Sequence, residues 1–179
     1  MSPLIINLAP TGMVPTGAMT PHVPLASRQV VEDVLGCAEA GASMFHLHAR
    51  EPDETPSYRA SNYAEIIDGI REVMPEAVLI ASTSGRTHSA FDQRADVLGL
   101  PIDSRPDMAS LTLGSMNFRN QASLNSPDMV ERLAARMAEQ QVKPELEVFD
   151  LGMMNVAHYL IGRGLVQPPY YFNILLGNF

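Results

Sequence analysis

The densest chemical signal in the sequence is Phe45-His46-Leu47-His48-Ala49-Arg50. Residues two apart on a strand face the same side, so His46 and His48 project together while Leu47 turns away. Two neighbouring imidazoles suit Zn²⁺, which takes neutral ring nitrogens and in catalytic sites combines three protein ligands with an open position. No third ligand is identifiable near the pair, and the same spacing also fits two hydrogen-bonded core or mouth histidines. Ser82-Thr83-Ser84-Gly85-Arg86 offers hydroxyls, backbone N–H groups and a guanidinium, a set suited to carboxylate or phosphate groups. An ordinary polar turn capping the next helix is the alternative. Ser110 and Thr112 share one face of a further apolar run, where a hydroxyl reaches either a substrate or a barrel layer. Glu145 and Glu147 share a face around Leu146, with Asp150 just beyond. A carboxylate aimed into a core is costly unless paired or functional, so Glu147 is expected to hydrogen-bond a ligand or orient a metal ligand, with a rim salt bridge as the alternative. His22, in a Pro-rich loop, and His158, in a helical pattern, read as solvated or core histidines.

The elements that must position these groups alternate along the chain. Strand-like runs fall at 4–8, 43–48, 77–81, 108–113, 145–149 and 171–176, and helical patterns at 27–40, 61–74, 88–98, 126–141 and 155–162. Ser27 is read as the N-cap of the first helix and Gly41 as its terminator. Tyr63, Ile66, Ile67, Ile70 and Val73 form the apolar stripe of the second, and Pro75 stops it. Such alternation predicts parallel βα units in one domain, 1–179. A doubly wound sheet fits the alternation too, but the loop APTGMVPTGAMTP lacks its usual G-x-G-x-x-G. The predicted fold is therefore an α/β (β/α)8 barrel of the TIM type with about six βα units present. Such barrels take about 250 residues, so the barrel is expected to be truncated at its C-terminal end, with no helix over 175–179 to cover the sixth strand.

Composition narrows the function classes. With 46% hydrophobic and 18% charged residues, 179 residues can bury one sizeable core. The net charge of -8 is spread along the chain without a basic run, which argues against a nucleic acid partner. The N-terminus has no basic region, and Asn7 and Pro10 break its apolar run, so neither a signal segment nor a membrane span is expected and the protein is placed in the cytoplasm. Cys37 is the only cysteine, which rules out an internal disulfide.

The run AGASMFHLHAREPDETPS resembles the AGA-x-x-x-H-x-H-x-R segment of the β-keto acid cleavage enzymes. The similarity extends in order through TPHVPLA, STSGR, RPDMASLTLGSMNF, KPELEVFD and FNILLG. It implies a (β/α) barrel, usually homotetrameric, that binds a divalent metal, normally zinc. It implies condensation of a small β-keto acid with acetyl-CoA or a related CoA thioester, giving acetoacetate and a new acyl-CoA. The metal would polarise the keto and carboxylate oxygens so that a base can generate the nucleophile that attacks the thioester. His46 and His48 become the implied metal ligands, and Ser82, Thr83, Ser110 and Glu147 the expected substrate-binding residues, with Glu147 close to the metal. The family's third ligand, a glutamate, and its catalytic arginine and aspartate fall on later strands that this chain does not contain. Val14 stands where a subgroup acting on amino-substituted keto acids carries glutamate, which argues against a cationic substrate. A catalytically inactive barrel fragment and a metal-dependent aldolase-type barrel are the competing expectations; dependence on a thioester separates the aldolase.

Overall fold

The strands and helices alternate as the periodicity predicts, and the structure, a computed structural model, describes residues 4–176. In chain order these are β1 (Asn7–Leu8), α1 (Ser27–Glu39), β2 (Met44–Leu47), α2 (Ala60–Val73), β3 (Val78–Ala81) and α3 (Phe91–Ala95). After two 3-10 turns, Asp96–Gly99 and Ile102–Ser104, come β4 (Met108–Thr112), the hairpin β5 (Met116–Asn117) and β6 (Ala122–Ser123), α4 (Pro127–Glu139), β7 (Lys143–Val148), α5 (Leu151–Gly162) and β8 (Tyr171–Ile174). The six-stranded sheet runs β1-β2-β3-β4-β7-β8 with every pairing parallel. It curls: Asn7 on β1 donates from Nδ2 to Glu145 Oε1 on β7 at 3.0 Å and to the Tyr171 hydroxyl on β8 at 3.2 Å, across the concave side. This is a partial (β/α) TIM barrel, as expected. The expected lack of a helix over Gly177, Asn178 and Phe179 lies outside the described residues.

Period-two alternation divides the sheet's side chains. Phe45, Leu47, Leu79, Leu111 and Leu146 face outward, fully buried in a core shared with Tyr63, Ile66 and Ile70 of α2 and Leu133 of α4. Truncating one of these to Ala would cost about 2–5 kcal/mol. Met44, Ile80 and Met108 face inward and form a small apolar plug. Polar groups sit above it towards the C-terminal strand ends: Ser110 pairs with Glu145 in register, Thr112 with Glu147, and Glu147 with Asn173.

Several boundaries move for identifiable reasons. Ser27 is the first helical residue of α1 rather than its cap; Gln29 Oε1 accepts the Leu25 and Ala26 N–H groups instead, at 3.1 and 3.0 Å, and Ser27 donates to Glu65 at 2.9 Å. The Asp150 carboxylate accepts the Met153 N–H at 2.9 Å and starts α5 at Leu151, earlier than the pattern suggested. Val73 is 65% exposed at the frayed end of α2, not part of its buried stripe.

Candidate active site

A cavity of about 390 Å³ opens at the C-terminal strand ends, and His46, His48, Ser82, Arg86, Thr112 and Glu147 contribute to its wall. That volume is at the lower end of small-ligand pockets, and the location is where barrel enzymes place their chemistry. The two imidazoles stack with ring centres 4.8 Å apart and planes 21° from parallel, the consequence of their shared strand face.

Behind His46 lies a buried polar cluster drawn from four strands. Nδ1 of His46 meets Glu145 Oε2 at 2.7 Å, and Glu145 is wholly buried. The two atoms are at ion-pair distance without the alignment of an N–H donor bond, which leaves Oε2 without a hydrogen-bond partner. The other oxygen, Oε1, accepts from Asn7 Nδ2 and Asn173 Nδ2, both at 3.0 Å. Glu147 Oε2 accepts from the Thr112 hydroxyl at 2.5 Å.

These surroundings separate the protonation behaviour of the three inner groups. Burial pushes the His46 imidazole down, but its contact with Glu145 and the charges of Glu145 and Glu147 outweigh that, and the net shift is upward. Burial, reinforced by the charges of His46, Arg50 and Arg86, holds His48 well below the ordinary histidine value. His48 is therefore neutral near pH 7, with a lone pair open to a Lewis acid. Burial lifts the Glu147 carboxyl above the usual carboxylate range, against the opposing pull of His46 and Thr112.

The donor set suits a divalent metal ion. Ligand atoms of His46, Glu145 and Glu147 lie within 4.8 Å of one another; His48 is not part of that group, and its Nδ1 is buried with no hydrogen-bond partner. With Nδ1 of His46 turned to a carboxylate, its Nε2 is the atom that would be available to a metal, the usual arrangement for a metal-bound histidine.

Not every expected residue reaches the cavity. Ser82 and Glu147 line it; Thr83 and Ser110 do not. They lock together behind the wall, the Thr83 N–H donating to Ser110 Oγ at 3.0 Å and the Thr83 hydroxyl to the Ser110 carbonyl at 2.5 Å. Arg94 backs the same loop, donating to the Thr83 carbonyl at 2.8 Å, the Leu124 carbonyl at 3.3 Å and Asn125 Oδ1 at 2.8 Å. Burial lowers its guanidinium to about 10, with the Glu147 charge opposing. Arg50 fixes the loop after β1 by donating to the carbonyls of Gly12, Pro15 and Glu54 at 2.6, 3.0 and 2.8 Å. That loop presents Gly12 and Met13 to the cavity, while Val14 is 49% exposed and off the wall, so the wall is apolar here through Met13. Asn7, Asn173 and Glu145 carried no assigned role in the sequence; their one signal is a polar residue at inward parity in an otherwise apolar run.

A family model for beta-keto acid cleavage enzymes matches residues 3–179. The chain belongs to that family. Within it, a 3-oxoadipate:acetyl-CoA acetyltransferase from Cupriavidus necator is 39% identical, the match covering 98% of this chain and 60% of that protein. A 3-keto-5-aminohexanoate cleavage enzyme from Acetoanaerobium sticklandii is 34% identical over 99% of this chain and 64% of that protein. This β-keto acid cleavage family member thus spans about three-fifths of the length of those relatives. Among solved structures, the apo form of ObcA superposes with a TM-score of 0.76 at 23% identity, covering 85% of this chain and 36% of that one, a likeness of fold. No helix among the described residues is long and apolar enough to cross a membrane.

Proposed function

We propose that the chain carries the metal-holding part of a zinc-dependent β-keto acid cleavage enzyme. In that reaction the acyl group of a β-keto acid passes to the CoA of acetyl-CoA or a related ester, and acetoacetate leaves with the new acyl-CoA. The observation that carries the reading is the stacked His46–His48 pair at the cavity wall, with Nδ1 of His46 against Glu145 and Nδ1 of His48 buried and unpartnered. Relatives whose names couple a keto acid to acetyl-CoA, including a 3-dehydrocarnitine:acetyl-CoA trimethylamine transferase from Rhizobium meliloti, support the thioester as co-substrate.

His46 and His48 hold the ion, and Glu145 fixes the ring and tautomer of His46. A bound divalent ion supplies Lewis-acid polarisation of the keto and carboxylate oxygens. Ser82 offers its hydroxyl to the keto acid, while Thr83 and Ser110 act one layer back by joining the ends of β3 and β4. Glu147, lifted by burial and held by Thr112, is placed to hold a proton at the cavity. A second arrangement, His46 with Glu145 and Glu147 as ligands, has its atoms close enough. It is weaker, because Glu145 Oε1 is taken by two asparagines and Oε2 already faces Nδ1. A cytoplasmic homo-oligomer is the assembly that the family likeness suggests.

The test is metal analysis of the purified chain combined with keto acid turnover. About one zinc per chain and consumption that requires acetyl-CoA are expected. A folded chain that holds no zinc, or cleavage without any thioester, would defeat the reading, the second outcome in favour of an aldolase-type reaction.

A further inference from the structure

The three arginines around the cavity are used differently. Arg50 and Arg94 each place their guanidinium groups on three protein oxygens. Arg86 places none: among the described residues no carboxylate lies within 4.0 Å of it, and its guanidinium makes no hydrogen bond, only its backbone N–H donating to Ser84 Oγ at 3.3 Å. Yet it is not a loose surface side chain. Its guanidinium carbon lies 3.4 Å from the centre of the Phe118 ring, and it lines the cavity that holds His46 and His48. Stacking fixes the plane of the group without using its five N–H donors. A pre-positioned cation with every donor unspent is a receptor for a planar anion.

We propose that Arg86 is a specificity-determining residue that binds a second carboxylate, so that the preferred β-keto acid is a diacid. The inference deepens the proposed function and rests on the keto acid site described there. The rest of the wall agrees with it. Met13, Phe118, Phe149 and Leu175 give an apolar lining suited to the methylenes between two charged ends. Among the described residues Glu147 is the one carboxylate on the wall, and one of its oxygens already accepts the Thr112 hydroxyl. Among the described residues the β1 loop brings Gly12 and Met13, and no carboxylate, to the wall.

The experiment is calorimetric titration of the full chain in the presence of zinc with two ligands of equal length. One is the six-carbon 3-oxo diacid; the other is 3-oxohexanoate, in which a methyl replaces the terminal carboxylate. A charge-assisted bidentate pair predicts that the diacid binds about 10- to 100-fold more tightly. Arg86→Met should bring the two ligands to within about threefold by weakening the diacid alone, and Arg86→Lys should keep part of the preference because it keeps the charge. Equal binding by the parent chain, or an undiminished preference in Arg86→Met, overturns the inference while leaving the keto acid site standing. An Arg86→Met chain that loses CoA ester binding but still prefers the diacid also overturns it, assigning Arg86 to the phosphates of the thioester. Failure of both ligands to bind would remove the keto acid site itself and this inference with it. If Arg86→Met does not fold, the parent's preference and Arg86→Lys still decide the question.

Discussion

Glu145→Gln tests the site with almost no change in shape. Glu145 Oε1 accepts from Asn7 and Asn173, both at 3.0 Å, so in the variant the amide oxygen is held in that position by two donors. The amide nitrogen must then face His46 Nδ1, where Oε2 stands at 2.7 Å in the parent. Two lone pairs would repel at that distance, so even without an aligned N–H bond the contact favours a proton on Nδ1 of the parent, which would leave Nε2 for a metal. In the variant the amide N–H takes the lone pair of Nδ1, and neutral His46 must carry its proton on Nε2, the atom needed by a metal. Reversing the amide instead would set its N–H groups against two asparagine donors, at about 1–3 kcal/mol for the buried groups left unsatisfied. Changes to such orienting partners lower metal affinity about 10- to 100-fold, equivalent to about 1.4–2.7 kcal/mol. Metal-free stability should fall less, by about 1–2 kcal/mol, since both asparagine bonds survive. Competition of zinc against a chromophoric chelator measures the first quantity and urea unfolding the second. Long-range ¹H–¹⁵N correlation of the imidazoles reports the tautomer without any metal, a readout that a merely structural carboxylate would not move. Zinc affinity within threefold of the parent, with the proton still on Nδ1, would refute the reasoning.

Three further outcomes follow from the same geometry. His46→Ala should lose zinc retention altogether while the chain remains folded, because the side chain lies at the cavity rather than in the helix-facing core; unchanged zinc content by metal analysis would remove His46 from the ligand set. Arg94→Leu should destabilise the chain by about 3 kcal/mol or more in urea unfolding, because the carbonyls of Thr83 and Leu124 and the amide oxygen of Asn125 all lose their donor; a change under 1 kcal/mol would show that water replaces it readily. Gly85→Ala should open the loop after β3, since a Cβ there would lie 2.7 Å from Arg94 Nη1 and 2.8 Å from the Leu124 carbonyl oxygen. Its signature is loss of both stability and ligand binding, and an unperturbed melting temperature would contradict it.

How much of this was open to sequence reasoning depends on the range over which each feature is encoded. Strand parity is local: the alternation in Phe45-His46-Leu47-His48 is enough to put both imidazoles on one side and Leu47 in the outer core, as the structure has it. The stripe of Tyr63, Ile66, Ile67 and Ile70 is equally local and equally buried. The hairpin β5–β6 escapes such reasoning, because strands of two residues are shorter than any window in which a period can be counted. So does the break of the predicted 88–98 helix into Phe91–Ala95 and a 3-10 turn, which tertiary packing decides.

The site divides along the same line. The histidine pair is visible because its members are two residues apart, but the carboxylate that orients His46 is about a hundred residues away and meets it only when the sheet curls. Parity marks Glu145 and Glu147 as equals; the curl distinguishes them, delivering Asn7 from β1 and Asn173 from β8 to Glu145 and leaving Glu147 with Thr112 at the cavity wall. The arginines make the point most sharply. Arg86 and Arg94 are eight residues apart and identical in chemistry, and nothing local says which is free to bind. The helical turn of α3 carries Arg94 behind the loop, where three oxygens consume its donors, while Arg86 stays in front, held flat by Phe118 with its donors unspent. On the proposed reading of Arg86, substrate choice in this barrel is encoded in which guanidinium the loop leaves unsatisfied.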